Sequence, residues 1–211
     1  MTYLGSEKGL DTMPKHSGEQ LLQEKYNTSK RAAAFYNNQV LDHLNPTMKE
    51  FISNQEMVFI STSDRRGHCD SSFRAGSPGF VRVIDDSTVI YPEYRGNGVM
   101  ASMGNLTENP HIGLMFIDFF ENRVGLHVNG KAYICENKEL DTLNLSKEVL
   151  MDIEAMEGKK AERWIVIEVD EAFIHCSKNI PTLEKKSIKG QKTEGDYFKV
   201  KQSKIESKIR A

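Results

Sequence analysis

The sequence has few of the features that mark several large protein classes. Its three cysteines, at positions 69, 135 and 176, form no CxxC pair, so neither a disulfide framework nor a thiolate zinc site is indicated. The most apolar stretch, residues 112–120, is interrupted by Asp118 and is too short to span a bilayer. The first thirty residues lack the apolar segment and cleavage site of a signal peptide. We therefore expect a cytoplasmic protein without a membrane segment.

The chain also has almost no net charge. Its 28 Lys and Arg oppose 30 Asp and Glu in 211 residues, whereas dedicated nucleic-acid-binding domains are usually strongly basic. The charge is uneven: residues 184–211 carry nine basic and four acidic residues, which leaves 19 basic and 26 acidic residues elsewhere. Apolar residues in this tail are too sparse for a core of its own. We predict a basic C-terminal tail, and the charge argues against nucleic acid as a partner.

The local pattern changes from helical to extended near residue 51. Ser29 precedes a stretch of good helix formers, and Asn45 places a capping residue before Pro46 at a first helical position. Beyond these helices the chain becomes rich in β-branched and alternating residues, and a helical insertion interrupts this pattern near residues 138–158. Extended segments are predicted at residues 57–63, 69–74, 80–84, 88–91, 111–120, 124–136 and 163–169.

This order of elements favours one fold class. Strands in hairpin-like succession with few helices between them do not suit a parallel sheet, which needs a crossover helix after each strand. They suit a small antiparallel barrel, because closure removes exposed sheet edges. We predict a mainly β protein with flanking helices, divided into a helical extension at residues 1–50, a barrel at 51–183 and the basic tail at 184–211.

Two turn-rich loops carry residues that suit a phosphate group. Residues 72–79 contain Arg74, and residues 92–98 contain Arg95, each beside glycines and hydroxyl or amide side chains. A phosphate dianion is bound by guanidinium groups and by N–H and O–H donors, and glycine allows close backbone approach. A helix that begins near Gly98 would add free N–H groups. The same residue types also occur in ordinary surface turns, so this pattern alone leaves both interpretations open.

The region around these loops resembles the pyridoxamine 5'-phosphate oxidase-like group of FMN-binding split-barrel proteins. The matching pieces follow in order: STSDRRGHCDSS, GSPGFVRV, YPEYRGNGVMASMGNLTENPHIGLMFI and LHVNGKAYI. HSGEQLLQ at 16–23 and FIHCSKN at 173–179 resemble segments of one branch of the group. The resemblance implies a six-stranded antiparallel Greek-key split barrel, a homodimer with FMN at the subunit interface, and oxidoreductase or reductase activity with a small-molecule electron donor and acceptor.

The resemblance also assigns roles to individual residues. Phe80, Val81 and Arg82 would run along the isoalloxazine ring, and His127 or Lys178 would reach the flavin from the other subunit. No side chain is expected to be indispensable as an acid or base, because the flavin itself carries the electrons. The remaining residues would hold the phosphate and the ribityl chain: Ser72, Arg74, Arg95, Asn97, Ser102 and Asn105.

Each of these assignments has a structural alternative. Phe80 and Val81 are ordinary core residues of a strand, Arg82 would also fit a salt bridge, and His127 would also fit a half-exposed strand position. After FIHCSKN, members of the branch often continue with Arg-Ser and Leu-Trp pairs, whereas this chain continues IPTLEKKSIKGQK. The oxidase activity is therefore not carried over. A non-catalytic flavin or haem module on the same barrel and a deazaflavin cofactor stay open as alternatives.

Overall fold

The strands of this protein form one antiparallel sheet, described here from a computed structural model that covers residues 17–186 and 197–200. The strands are β1 (Val40–Leu41), β2 (Met57–Ser63), β3 (Cys69–Ala75), β4 (Arg82–Val83), β5 (Thr88–Tyr94), β6 (His111–Asp118), β7 (Val124–Glu136) and β8 (Ala161–His175). Their order in the sheet differs from their order in the sequence: it is β3-β2-β6-β7-β8-β5-β4, with β1 added beside β8.

Two helices precede the first strand, and three others lie in connections between strands. Asn45 caps α3 (Pro46–Ser53) as predicted, since its side-chain oxygen accepts a hydrogen bond from the Met48 amide at 2.9 Å and Pro46 is the first helical residue. The predicted insertion near 138–158 contains a 3₁₀ segment, Asn137–Leu143, followed by a helix. The α-helices are α1 (Ser17–Lys25), α2 (Ser29–Gln39), α3 (Pro46–Ser53), α4 (Ala101–Glu108) and α5 (Lys147–Met156).

The sheet curls until its two ends face each other. β3 and β5 stand near opposite ends of the strand order, yet Arg74 of β3 is paired with Glu93 of β5 at 2.8 Å. Helix α4 lies at this opening, where it contacts β2 and β3. We call the opening between β3 and β5 the split. The larger core cluster fills the inside of the curl, and a smaller one, which includes Trp164, lies under α5.

The prediction of a mainly β, antiparallel fold is confirmed. The pattern predicted seven extended segments and the resemblance implied a six-stranded barrel, whereas the described residues form eight strands, of which β1 and β4 have only two residues each. The extended segment predicted at residues 80–84 is a strand only at Arg82–Val83. Its first residue belongs to a turn instead, because the Phe80 amide donates a hydrogen bond to the Ser77 carbonyl oxygen at 2.9 Å.

Some predictions concern residues that lie outside the described ranges. Residues 1–16 of the predicted helical extension are among them, and so are 187–196 and 201–211, most of the predicted basic tail. Within the described ranges, no helix combines the length and apolar character needed to cross a membrane.

A close approach between β7 and β8 gives the first testable expectation. The register shifts between Asn129 and Gly130, and a Cβ atom added to Gly130 would lie 2.0 Å from the Glu168 carbonyl oxygen. Gly130→Ala therefore forces the strands apart, and we expect it to lower the free energy of unfolding by about 1–3 kcal/mol in a urea titration.

Gly104→Ala is the matched control for this substitution. Gly104 lies inside α4, where an added Cβ has no neighbour within 4 Å among the described residues. Alanine is favoured over glycine in a helix by about 1 kcal/mol, so this variant should be as stable as the parent or more so. Equal losses in both variants would contradict the packing argument at Gly130.

Candidate functional site

A cluster of hydroxyl groups lies at the split, around one carboxylate. The Ser72 and Ser102 hydroxyls both donate to Oδ2 of Asp70, at 2.8 and 2.9 Å, and their own oxygens are 3.2 Å apart. Asp70, Ser72 and Arg74 alternate along β3, so their side chains share one face of the strand. Ser102 belongs to the first turn of α4. The structure thus brings together two of the predicted phosphate and ribityl contacts, Ser72 and Ser102.

Arg74 continues this polar row and is held by a buried carboxylate. Its Nε and Nη2 atoms donate to Oε1 of Glu93 at 3.0 and 2.8 Å, and Nη1 donates to the Phe73 carbonyl oxygen at 3.2 Å. The Glu93 side chain is only 8% exposed, so this pairing compensates a charge that would otherwise be costly to bury. We call Asp70, Ser72, Arg74, Glu93 and Ser102 together the cradle.

A fully buried tyrosine lies near the cradle. Tyr91 is two residues before Glu93 on β5 and therefore lies on the same face of that strand. Its hydroxyl makes no hydrogen bond to any described residue. Burial, and then the nearby Glu93 carboxylate, raise the pKa of Tyr91, so the group is a neutral hydroxyl that can both donate and accept. A buried polar group without a partner is uncommon and calls for a ligand or water as its partner.

The turn before α4 presents donors next to the cradle. Gly98 and Met100 both have left-handed backbone conformations, with φ of 83° and 56°. The first helical hydrogen bond is from the Gly104 amide to the Met100 carbonyl oxygen, so the amides of residues 101–103 have no partner within the helix. Asn105, another predicted contact, donates to the Thr62 hydroxyl at 3.0 Å and so ties α4 to β2.

The predicted phosphate clamp lies in the exposed loop that follows β5. The Asn97 side-chain oxygen accepts a hydrogen bond from the Val99 amide at 2.9 Å, which shapes the loop rather than the cradle. Arg95 is exposed, and none of the described carboxylates forms an ion pair with it. Arg95 therefore differs from Arg74, because its charge is available to an anion.

The three predicted ring contacts are buried within the chain. Phe80 and Val81 are each 1% exposed and belong to the larger core cluster. Arg82 is 8% exposed. Its Nε donates to Asp152 of α5 at 2.7 Å, and its Nη atoms lie 3.4 Å from Oε1 of Glu157. The Arg82 guanidinium is thus part of a second polar cluster and not of the cradle, and the contact of these three residues with a ring stays a prediction.

The two residues predicted to act across a subunit interface lie on or beside β7 and β8. His127 Nε2 is 2.9 Å from Nδ1 of His175, and its ring stacks on Phe173 with 4.7 Å between centroids. Burial, and then the neighbouring His175, lower the pKa of His127 from its ordinary value of 6.5. Lys178 lies in the exposed 3₁₀ turn that follows β8. Their roles toward a flavin stay predictions.

Sequence reasoning missed the acidic members of the cradle and the buried tyrosine. Asp70 lies two residues before Ser72 in the sequence, but only the fold shows that Tyr91 and Glu93 of β5 face β3 across the split. The signal that could have revealed Glu93 is its spacing from Tyr91. The two are two residues apart in an extended segment, so their side chains share one face, and a buried acidic side chain needs a cation as its partner. Across residues 17–186 and 197–200, no three His, Cys, Asp or Glu side chains form a group that could hold a metal ion.

A curled antiparallel sheet with a polar cradle in its split defines a split-barrel protein. A sequence model described as pyridoxamine 5'-phosphate oxidase matches residues 44–176, well over half of the chain. The chain belongs to this family, and the resemblance inferred from its sequence is confirmed. Among curated proteins, no match is found.

Solved structures resemble the chain at low identity. HupZ from Group A Streptococcus is 21% identical, with a TM-score of 0.46 and coverage of 67% of this chain and 99% of that one. The haem storage protein HutZ from Vibrio cholerae is 17% identical, with a TM-score of 0.44 and coverage of 62% and 94%. An FMN-binding protein from Syntrophomonas wolfei subsp. wolfei is 15% identical, with a TM-score of 0.42 and coverage of 75% and 97%. Likeness at this level says nothing of this chain's ligand.

Proposed function

We propose that this chain binds FMN at the split and acts as a small flavin-dependent oxidoreductase or reductase in the cytoplasm. The observation that carries the proposal is the convergence of Ser72, Arg74 and Ser102, from two separate segments, at one opening of the sheet. The sequence resemblance assigns these residues to the phosphate and ribityl contacts. The three cysteines are free, which suits the reducing cytoplasm.

The residues at the split fit a phosphorylated polyol. Hydroxyl groups of a ribityl chain can donate to the Asp70 carboxylate and to the oxygens of the two serines, whose own protons are donated to Asp70. The same carboxylate and Glu93 would repel a phosphate dianion, so the phosphate belongs with the uncommitted Arg95 and the free amides at the start of α4. The unpartnered Tyr91 hydroxyl is a further polar group beside the Arg74–Glu93 pair.

FMN, when bound, supplies hydride or single-electron transfer, and the chain supplies binding and orientation. Arg74, fixed by Glu93, is a pre-organised donor, and the two serine oxygens, whose protons are donated to Asp70, are pre-organised acceptors that would hold the ribityl end in one position. Phe80 and Val81, whose side chains are buried in the core, would offer only backbone groups to the ring and would exclude water behind it.

A row of apolar and aromatic side chains supports the homodimer. Five residues stand directly opposite one another across strands β3, β2, β6, β7 and β8, so they share one face of the sheet, outside the main core. The residue at the edge of the row, Phe73, is 52% exposed. Apart from His127 the row is apolar, and its other four members are only partly buried by their own chain. A row of this kind is typical of a surface that another chain covers, and we propose a second copy as its partner. We call this set the outer row: Phe73, Phe59, Met115, His127 and Phe173.

The experiment that tests the proposed function is identification of the molecule released when the purified protein is denatured. We expect yellow protein and a released mass equal to FMN. Colourless protein that does not take up added FMN would overturn the proposal. A Soret band after addition of haem, with no flavin uptake, would favour the haem-binding alternative, and a larger flavin-like mass would indicate a deazaflavin.

A further inference from the structure

We propose that the outer row is a pH-sensitive interface, in which protonation of the His127 and His175 side chains releases the second copy of the chain. The inference rests on the homodimer proposed above and specifies how that assembly is regulated. It goes beyond the cofactor site, because the two histidines contact each other and not the cradle.

The hydrogen bond between the two imidazoles requires that at least one ring is neutral. His127 Nε2 and His175 Nδ1 are 2.9 Å apart, so one nitrogen carries the proton and the other accepts it through a lone pair. When both rings are protonated, no acceptor remains, and two positive charges stand at the distance of the former hydrogen bond. Acid therefore replaces an attraction by a repulsion at this position.

The surroundings of the pair offer little to compensate this charge. His127 lies between Met115 of β6 and Phe173 of β8 in the outer row, and its ring stacks on Phe173. Glu171, which accepts a hydrogen bond from Asn129 at 2.9 Å, is the carboxylate on β8 that favours a charged His127, but burial and His175 outweigh it and the pKa of His127 is lowered.

The helices next to this part of the sheet add no free carboxylate to the pair. Helix α2 packs Phe35 against Phe173, with 6.0 Å between ring centroids. The titratable group of α2 near Glu171 is Tyr36, whose hydroxyl donates to Glu19 of α1 at 2.5 Å. On β6, the nearest acidic residue in sequence to Met115 is Asp118, which accepts hydrogen bonds from backbone amides of its own turn.

The direction in which the pKa of His127 is shifted determines whether acid strengthens or weakens the assembly. Burial lowers the pKa of His127 below 6.5, so the folded chain binds fewer protons here than the unfolded chain does. This part of the folding free energy is complete above about pH 6.5 and is lost as the pH falls through the lowered value. A second copy over the outer row would bury the pair further, so the dimer would bind fewer protons here than the monomer, and association would weaken as the pH falls. In a two-fold interface each copy contributes one such pair, so acid would introduce like charges from both subunits.

Sedimentation velocity at about pH 8 and about pH 5.5, at fixed salt, tests the proposal. We expect a dimer at the higher pH and a dissociation constant at least about ten-fold larger at the lower pH, equivalent to one pKa unit of linkage. His127→Gln should remove this difference. His68→Gln is the control, because His68 is exposed and pairs with Asp64, so its variant should keep the full pH response.

The possible outcomes test the pH response and the homodimer separately. A wild-type dimer of equal strength at both pH values, or a His127→Gln variant that keeps the response, would overturn the switch and leave the homodimer intact. A monomer at both pH values would overturn the homodimer. If circular dichroism shows that His127→Gln is unfolded, His175→Gln takes its place, with the same expected loss of pH dependence.

Discussion

Replacing Arg82 with methionine should lower the free energy of unfolding by about 3–5 kcal/mol, the range typical for removal of one partner from a buried ion pair. The Glu157 side chain is 3% exposed and loses its only cation among the described residues, although the Tyr94 hydroxyl still donates to it at 2.6 Å. The Arg82 guanidinium also lies 5.7 Å from the Trp164 ring centroid, a contact that the variant loses as well. Urea unfolding followed by circular dichroism measures the change.

Arg65→Met is the matched control for this large effect. Arg65 forms an ion pair with Glu108 at 3.8 Å, but its side chain is 71% exposed. Exposed pairs contribute at most about 1 kcal/mol, so the control variant should unfold almost as the parent does. Equal losses in the two variants would mean that the ion pairs of Arg82 with Asp152 and Glu157 stabilise the fold no more than an exposed pair does.

The double variant Arg74→Gln with Glu93→Gln should weaken FMN binding by about ten- to a hundred-fold, because it removes charge-assisted hydrogen bonds from the cradle. Both residues are changed together so that no buried carboxylate is left without a cation. The neutral amides can still hydrogen-bond to each other, so the variant is expected to fold. Quenching of FMN fluorescence during titration measures the affinity.

The corresponding control changes an exposed pair to amides in the same way. Arg65→Gln with Glu108→Gln removes the same two charges from a surface pair at the end of α4. It should bind FMN as the parent does. Unchanged affinity in the Arg74 and Glu93 variant, with folding intact, would mean that the cradle does not hold the cofactor.

The local pattern of the sequence was sufficient for most of the elements. The bounds of β2 and β7 were predicted as observed, because each is an extended segment ended by a turn or polar residues. The cap at Asn45 was predicted for the same kind of reason, since a cap depends on neighbours within one turn. At Phe80 and Val81 the same pattern failed, because a turn ends at Phe80 and the strand begins only at Arg82, although both side chains enter the core.

The polar partners could not be predicted, because they depend on pairings far apart in the sequence. Arg74 and Arg82 looked alike as candidate ligand contacts, yet one lies opposite Glu93 across the split and the other opposite Glu157. The contact between His127 and His175 depends on the register of β7 against β8, in which His127 stands beside Phe173. A one-residue change in register would have separated them.

The measurement that tests the central claim most directly compares FMN and riboflavin on the same ligand-free protein. The two molecules differ only in the phosphate, which we assign to Arg95 and the first amides of α4. Side-by-side fluorescence titrations should show FMN bound at least about ten-fold more tightly, as expected for charge-assisted hydrogen bonds. Equal affinities, or no binding of either molecule, would contradict the assignment of the split as an FMN site.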